Sequence, residues 1–153
     1  MAIEARLETG RLDAGVELAA FLAGRDADGA VVSFTGLARG RGADGRPVDR
    51  LRLDWHPVMT ERSLADLAAM TAARFQVSDV LVIHRGGDIE PGETIVFVAV
   101  ASPHRRQAFF AADYLMDRLK TEAMFWKHES GPDGGRWIEP TEQDRADLAR
   151  WSD

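Results

Sequence analysis

The stretch SPHRRQAFFAADYLMDRLKTEAMFWKHE, residues 102–129, decides the reading of this chain. Ala108, Ala112, Leu115 and Leu119 recur at helical spacing with Phe109 and Met116 beside them, which predicts an amphipathic helix. Ser102 is placed to cap that helix, and Pro103 suits its first position. The next three residues break a local rule. A helix N-terminus carries positive partial charge and favours Asp or Glu, yet His104, Arg105 and Arg106 follow one another. Cations misplaced there cost about 0.3–1 kcal/mol each at an exposed end. An anion offsets that cost, because free backbone N–H groups and cationic side chains converge on it. This is the first sign of an anionic substrate.

The far end of the stretch adds two lysines. Lys120 falls in the last helical turn, where a cation suits the negative helix end, so it also reads as an ordinary helix-terminal lysine. Lys127 lies in MFWKHE, an aromatic-rich run that reads as extended. Its neighbours Phe125 and Trp126 predict partial desolvation, which lowers a lysine pKa and makes the group usable as an acid or base.

The chain as a whole narrows the choices. Its 153 residues predict one domain, and 45% hydrophobic residues are enough for a core. No apolar run approaches a membrane span, and the first residues lack a basic then apolar leader pattern. A cytoplasmic location follows as the expectation. With no cysteine, the chain makes no disulfide, thiolate metal site or persulfide of its own. A net charge of −6 argues against general nucleic-acid binding. Its distribution says more. Residues 103–127 set five cations against three anions, and residues 36–46 set Arg39, Arg41 and Arg46 against Asp44 alone. Two cationic islands on an acidic chain predict a focused anion pocket.

Working outward, Ile3, Ala5 and Leu7 alternate as a half-buried strand, and Asp13 caps a short helix that ends at Gly24. Residues 30–35 form a second strand, with Val32 and Phe34 on one face. The glycine-rich segment 36–46 lacks the Gly-Lys-Ser/Thr ending of a P-loop. It reads as a flexible hairpin loop for Arg41 and Arg46, whereas Arg39 stands close enough to the strand end to be held against a pocket. Leu51, Leu53 and Trp55 mark a third strand, ended by His56-Pro57, with His56 a turn residue. Thr60 is placed to cap a helix to about Phe75, with Met59 stapled to Leu64. Residues 80–83 and 94–101 are apolar strands on either side of a Pro91-Gly92 turn. His84 and Arg85, polar residues at a strand end, read as candidate site residues and, ahead of that, as paired structural residues. A short strand at 136–139 and a helix capped by Thr141 complete the chain. Mixed strands and helices in this order predict an α+β fold, with three to four helices, rather than a regular parallel sheet.

These segments together carry a resemblance. AVVSFTGLAR (30–39), HP-x-MT (56–60), VIHR-x-G (82–87), PGE (91–93), S-x-HR (102–105) and LKT-x-A-x-FWK-x-E (119–129) closely resemble the large, catalytic subunits of molybdopterin synthases. The resemblance implies an α/β-hammerhead-like fold with a mixed or antiparallel sheet. It implies conversion of cyclic pyranopterin monophosphate to molybdopterin by insertion of two dithiolene sulfurs, with no permanently bound cofactor and no metal. The sulfur would come as a thiocarboxylate on the Gly-Gly C-terminus of a small ubiquitin-like subunit, two of which flank a large-subunit homodimer. By motif, Arg39, His104 and Arg105 would hold the phosphate-bearing pterin, and Lys120 and Lys127 would serve the acid–base steps. Leu37, Ala38, His128 and Glu129 would line the pocket, and Arg105 would act across the dimer. The chain departs from the family pattern at Leu37, where lysine is frequent, and at Gly40, where a polar residue is frequent. The other class of answer is a non-catalytic anion-binding or regulatory module with the same cationic pocket.

Overall fold

The computed structural model describes residues 2–152. Its first half contains β1 (Ala2–Glu8), α1 (Ala14–Leu22), β2 (Ala30–Leu37), β3 (Arg50–Trp55) and α2 (Met59–Arg74). Then come β4 (Asp79–Arg85), β5 (Gly87–Ile89), β6 (Thr94–Ser102) and α3 (Arg105–Glu122). The last elements are β7 (Phe125–Gly131), β8 (Gly134–Ile138) and α4 (Glu142–Ala149). They build two four-stranded sheets, ordered β1-β4-β6-β2 and β5-β3-β7-β8. The first is mixed, because β1 runs parallel to β4, and the second is antiparallel throughout. The α+β expectation holds.

The unbroken apolar runs of β4 and β6 have a simple cause: both strands are buried on both faces. Val80, Val82, Val96, Val98 and Val100 point to α2 and α3, where they meet Leu64, Leu67, Ala68 and Leu115. The alternate residues Leu81, Ile83, Phe97 and Ala99 point to α1 and pack with Leu18 and Phe21. A smaller core of Leu51, Leu53, Ile89 and Ala38 forms on the second sheet and touches Phe125.

Four local expectations are corrected. Ser102 does not cap α3: it ends β6, paired with Ala30, and its buried hydroxyl donates to the Gln76 carbonyl while accepting from His104 N–H. His104 takes the N-cap position without a side-chain hydrogen bond, and the helix starts at Arg105. Phe109 is 60% exposed, and the buried stripe uses Ala111 and Tyr114 instead. Thr60 lies inside α2, where its hydroxyl accepts from His56 N–H and donates to the Met124 carbonyl. His56 supplies the cap, since its Nδ1 accepts from Val58 and Met59 N–H at 3.2 and 3.0 Å. Met59 is exposed, so no staple forms. The short strand β5 has no counterpart in the sequence pattern, because three residues with one buried aliphatic side chain carry no periodic signal.

The end of β2 is shaped to present Arg39. The register with β6 slips between Gly36 and Leu37, a bulge that bends the strand end. A Cβ at Gly36 would lie 2.7 Å from a Val96 methyl, so only glycine lets the strand lie this close. Ala38 is then buried, its N–H bonded to the Glu93 carbonyl and its carbonyl to Gly92 N–H. Arg39 projects just beyond this anchor.

Leu115 is fully buried where α3 meets the valine face of β4 and β6. Leu115→Ala is expected to lower stability by about 2–5 kcal/mol in urea denaturation, against less than about 0.5 kcal/mol for Phe109→Ala on the exposed face.

Candidate functional site

A cavity of about 450 Å³ opens where the helix-covered face of the first sheet meets the second sheet. Phe34, Leu37 and Arg39 come to it from the end of β2, and His84 from the end of β4. Met116 and Lys120 come from the last turns of α3, and Phe125, Lys127 and Glu129 from β7. The β8–α4 junction, from Ile138 to Asp144, closes one side. The wall is therefore part apolar and part cationic, which suits a flat ring system bearing an anionic group.

Lys127 and Glu129 share one face of β7 by strand alternation. Lys127 is half-buried and its Nζ lies 3.9 Å from Glu129 Oε1. Its pKa is held below the ordinary lysine value, first by burial and then by the charge of Lys120. Arg39 pushes the same way, and Glu129 and Asp144 oppose it. Arg39 and Lys120 form no ion pair with any described residue, so their charges are available to a ligand. A composition signal strengthens the site. The chain has seventeen arginines and only two lysines, and both lysines line this cavity. Arginine serves wherever a fixed cation suffices, while of the two only lysine gives up its proton readily when buried.

His84 joins the site although its position suggested structure. Its ring stacks on Phe125 with centroids 4.0 Å apart, and its Nδ1 lies 2.8 Å from the Arg85 carbonyl. Burial, and after it the charge of Lys120, pushes its pKa down to about 4 against that hydrogen bond. The ring is thus neutral at pH 7, with Nδ1–H donating to the carbonyl and Nε2 left as an acceptor. Arg85 is the structural member of the pair, buried and bonded to the Asp88 carbonyl at 3.2 Å.

The other expected residues are placed differently. His104 and Arg105 are exposed at the start of α3, fifteen residues before Lys120 and so about 22 Å away along the helix axis. One small ligand cannot touch both ends within a single chain. His128 points to the opposite face of β7 and meets Trp137 edge-on at 4.9 Å. Ala38 anchors the strand end without reaching the cavity wall. The glycine-rich loop is closed rather than loose: Arg41 bridges to Pro47, and its guanidinium donates to the Gly45 carbonyl. Among the described residues no group of three or more metal-ligating side chains occurs, and no helix is long and apolar enough to cross a membrane.

An α+β fold that gathers unpaired cations and a lysine of lowered pKa in one half-apolar cavity has the character of a binding or catalytic site for an anionic ring compound. The match to known proteins is more specific. Residues 7–122 match the family model described as MoaE protein. The molybdopterin synthase catalytic subunit of Caulobacter vibrioides is 51% identical over 137 residues, 90% of this chain and 89% of its own length. The MoaE protein of Burkholderia ambifaria superposes with a TM-score of 0.79 at 40% identity, covering 99% of this chain and 98% of that one. The molybdopterin synthase of Staphylococcus aureus gives 0.78 at 27% identity, over 88% and 96%. The chain belongs to the MoaE family.

His84 supplies a pH test of the cavity. Because its folded pKa lies near 4 and its unfolded value near 6.5, the unfolded chain binds the proton first. Stability present above pH 6.5 is lost as pH falls toward 4, by roughly 3 kcal/mol from this group alone. His84→Asn keeps a donor for the Arg85 carbonyl but cannot titrate. In urea denaturation the wild type is expected to lose more stability than this variant between pH 7 and 4.5, and equal losses would contradict the assignment.

Proposed function

We infer that this chain is the catalytic subunit of a molybdopterin synthase, a sulfurtransferase of molybdenum cofactor biosynthesis. One observation carries the reading: in a member of the MoaE family, Arg39, Lys120 and Lys127 reach one cavity from three separate elements. Its substrate is cyclic pyranopterin monophosphate and its product molybdopterin. The sulfur is brought as the C-terminal thiocarboxylate of a small ubiquitin-like subunit, which suits a chain without cysteine.

Within the cavity, unpaired Arg39 binds the phosphate by charge-assisted hydrogen bonds. Leu37 and Glu129 form the wall beside it, and Ala38 holds the strand end that presents Arg39. Lys120 and Lys127 face the thiocarboxylate carbonyl, where positive charge stabilises the oxyanion that develops as sulfur leaves. Lys127, with its lowered pKa, exchanges the proton. His104 and Arg105 lie too far from Lys120 to serve the same cavity, so they complete the pocket of a second copy in a homodimer. The exposed aromatic residues Phe109, Phe110, Trp126 and Trp137 are suited to such interfaces. The assembly has two large and two small subunits and acts in the cytoplasm, with the 153 residues as one domain. His128, turned toward Trp137, supports β8 from outside the cavity.

Reconstitution with a thiocarboxylated small subunit and the cyclic pterin tests the reading by detection of dithiolene product. Binding without turnover would favour a regulatory anion-binding module instead. Lys120→Ala and Lys127→Ala are each expected to bind both partners yet lose about 10²–10⁴-fold in single-turnover rate. Lys127→Arg should not recover it, since guanidinium keeps its proton. Near-wild-type product from both alanine variants would place the chemistry elsewhere.

Arg39→Ala is expected to act on binding, with pterin affinity falling about tenfold to a hundredfold, as for the loss of one charge-assisted hydrogen bond. Calorimetry with the pterin measures this, and wild-type affinity would remove Arg39 from the phosphate site.

A further inference from the structure

Arg136 stands directly across the β7–β8 ladder from Glu129, the carboxylate that faces Lys127. Its Nη2 lies 3.4 Å from Glu129 Oε2, while Lys127 Nζ lies 3.9 Å from Oε1. The same guanidinium forks onto Asp44, with Nη2 donating to Oδ1 at 2.9 Å and Nη1 to Oδ2. Asp44 belongs to the loop after Arg39 and accepts from Arg46 N–H at 3.0 Å. Gly42 packs against the junction, and a Cβ there would overlap Arg136 Nη2 and come within 2.8 Å of Glu129 Oε2. One side chain thus joins the Arg39 loop to the carboxylate beside Lys127. Glu129 is nearly buried, so its charge is weakly screened and how it is shared matters.

We propose that Arg136 is a positioning residue for this cavity: it draws part of Glu129's charge away from Lys127 and pins the loop that carries Arg39. The proposal rests on the reading of Lys127 as the proton-exchanging group. Arg136 itself touches no reacting atom. The groups that face Lys127 are Lys120 from α3, Arg39 from beyond β2, Asp144 from α4 and Glu129 from its own strand. His84, from β4, is neutral near pH 7. Of these, Glu129 is the carboxylate with a second cation within hydrogen-bond reach on the neighbouring strand. Without Arg136, Glu129 serves Lys127 alone and holds its proton more tightly. With Asp44 neutralised, Arg136 turns wholly to Glu129, and Lys127 holds its proton less tightly.

Direct titration of Lys127 tests this, and only two lysines make it practicable. Side-chain carbon resonances of isotope-labelled lysine, assigned with Lys120→Arg, follow each ammonium separately. In Arg136→Met the Lys127 midpoint is expected to rise by about 0.5–1 pH unit. Arg136→Lys should keep it near wild type, and Asp44→Asn should lower it. In a Glu129→Gln background Arg136→Met should cause no shift, because no carboxylate remains to share. An unchanged midpoint in Arg136→Met, a shift that persists with Glu129→Gln, or a rise in Asp44→Asn would each overturn the proposal. If Arg136→Met does not fold, the sign of the Asp44→Asn shift decides. Wild-type product from Lys127→Ala would instead overturn the catalytic reading and leave these midpoints as they are.

Discussion

Burial of both faces of β4 and β6 is the constraint on which the rest of the structure depends. Two adjacent strands with no exposed face need cover on each side, and the chain supplies α1 for one and the pair α2–α3 for the other. Once α3 lies along the valine face, its last turns are carried to the edge of the first sheet. Lys120 and Met116 therefore meet the end of β4, with His84, and the start of β7, with Phe125 and Lys127. The cavity is the gap that remains where a tightly packed sheet gives way to the second sheet. Its position follows from packing, and its chemistry from which side chains the element ends present.

Charge explains why this gap is more than a packing remnant. Three cations converge on it beside the carboxylates Glu129, Glu139 and Asp144, yet at Lys127 burial and the neighbouring cations outweigh the opposing carboxylates. Like charges raise one another's free energy in a half-buried setting, so the arrangement favours either an anionic ligand or a lysine without its proton. Neutral His84 adds an acceptor to the same wall without adding a fourth cation. The cations at the start of α3 stay outside this balance within one chain, about 22 Å along the helix.

The sequence by itself determined the fold class and named the three cations that meet in the cavity. Helical and strand periodicities are local, so α2, α3 and the strands around them were legible, as were the caps at Asp13 and Thr141, where a side chain meets backbone three residues away. Arg39 was legible from its place at a strand end and Lys127 from its aromatic neighbours, whereas Lys120 fits its helix end and was marked by the family resemblance; the scarcity of lysine marks both lysines independently. Only the tertiary structure decided the rest. Ser102 and Thr60 have the chemistry of caps, yet long-range bonds to the Gln76 and Met124 carbonyls claim their hydroxyls. His84 and Arg85 are neighbours of similar character, but alternation along β4 sends one to the cavity and buries the other. Arg136, a lone cation on a two-sided surface strand, acquires its role from Asp44, ninety-two residues away. Such contacts depend on the register between distant segments, and nothing in the composition or spacing of either segment records it.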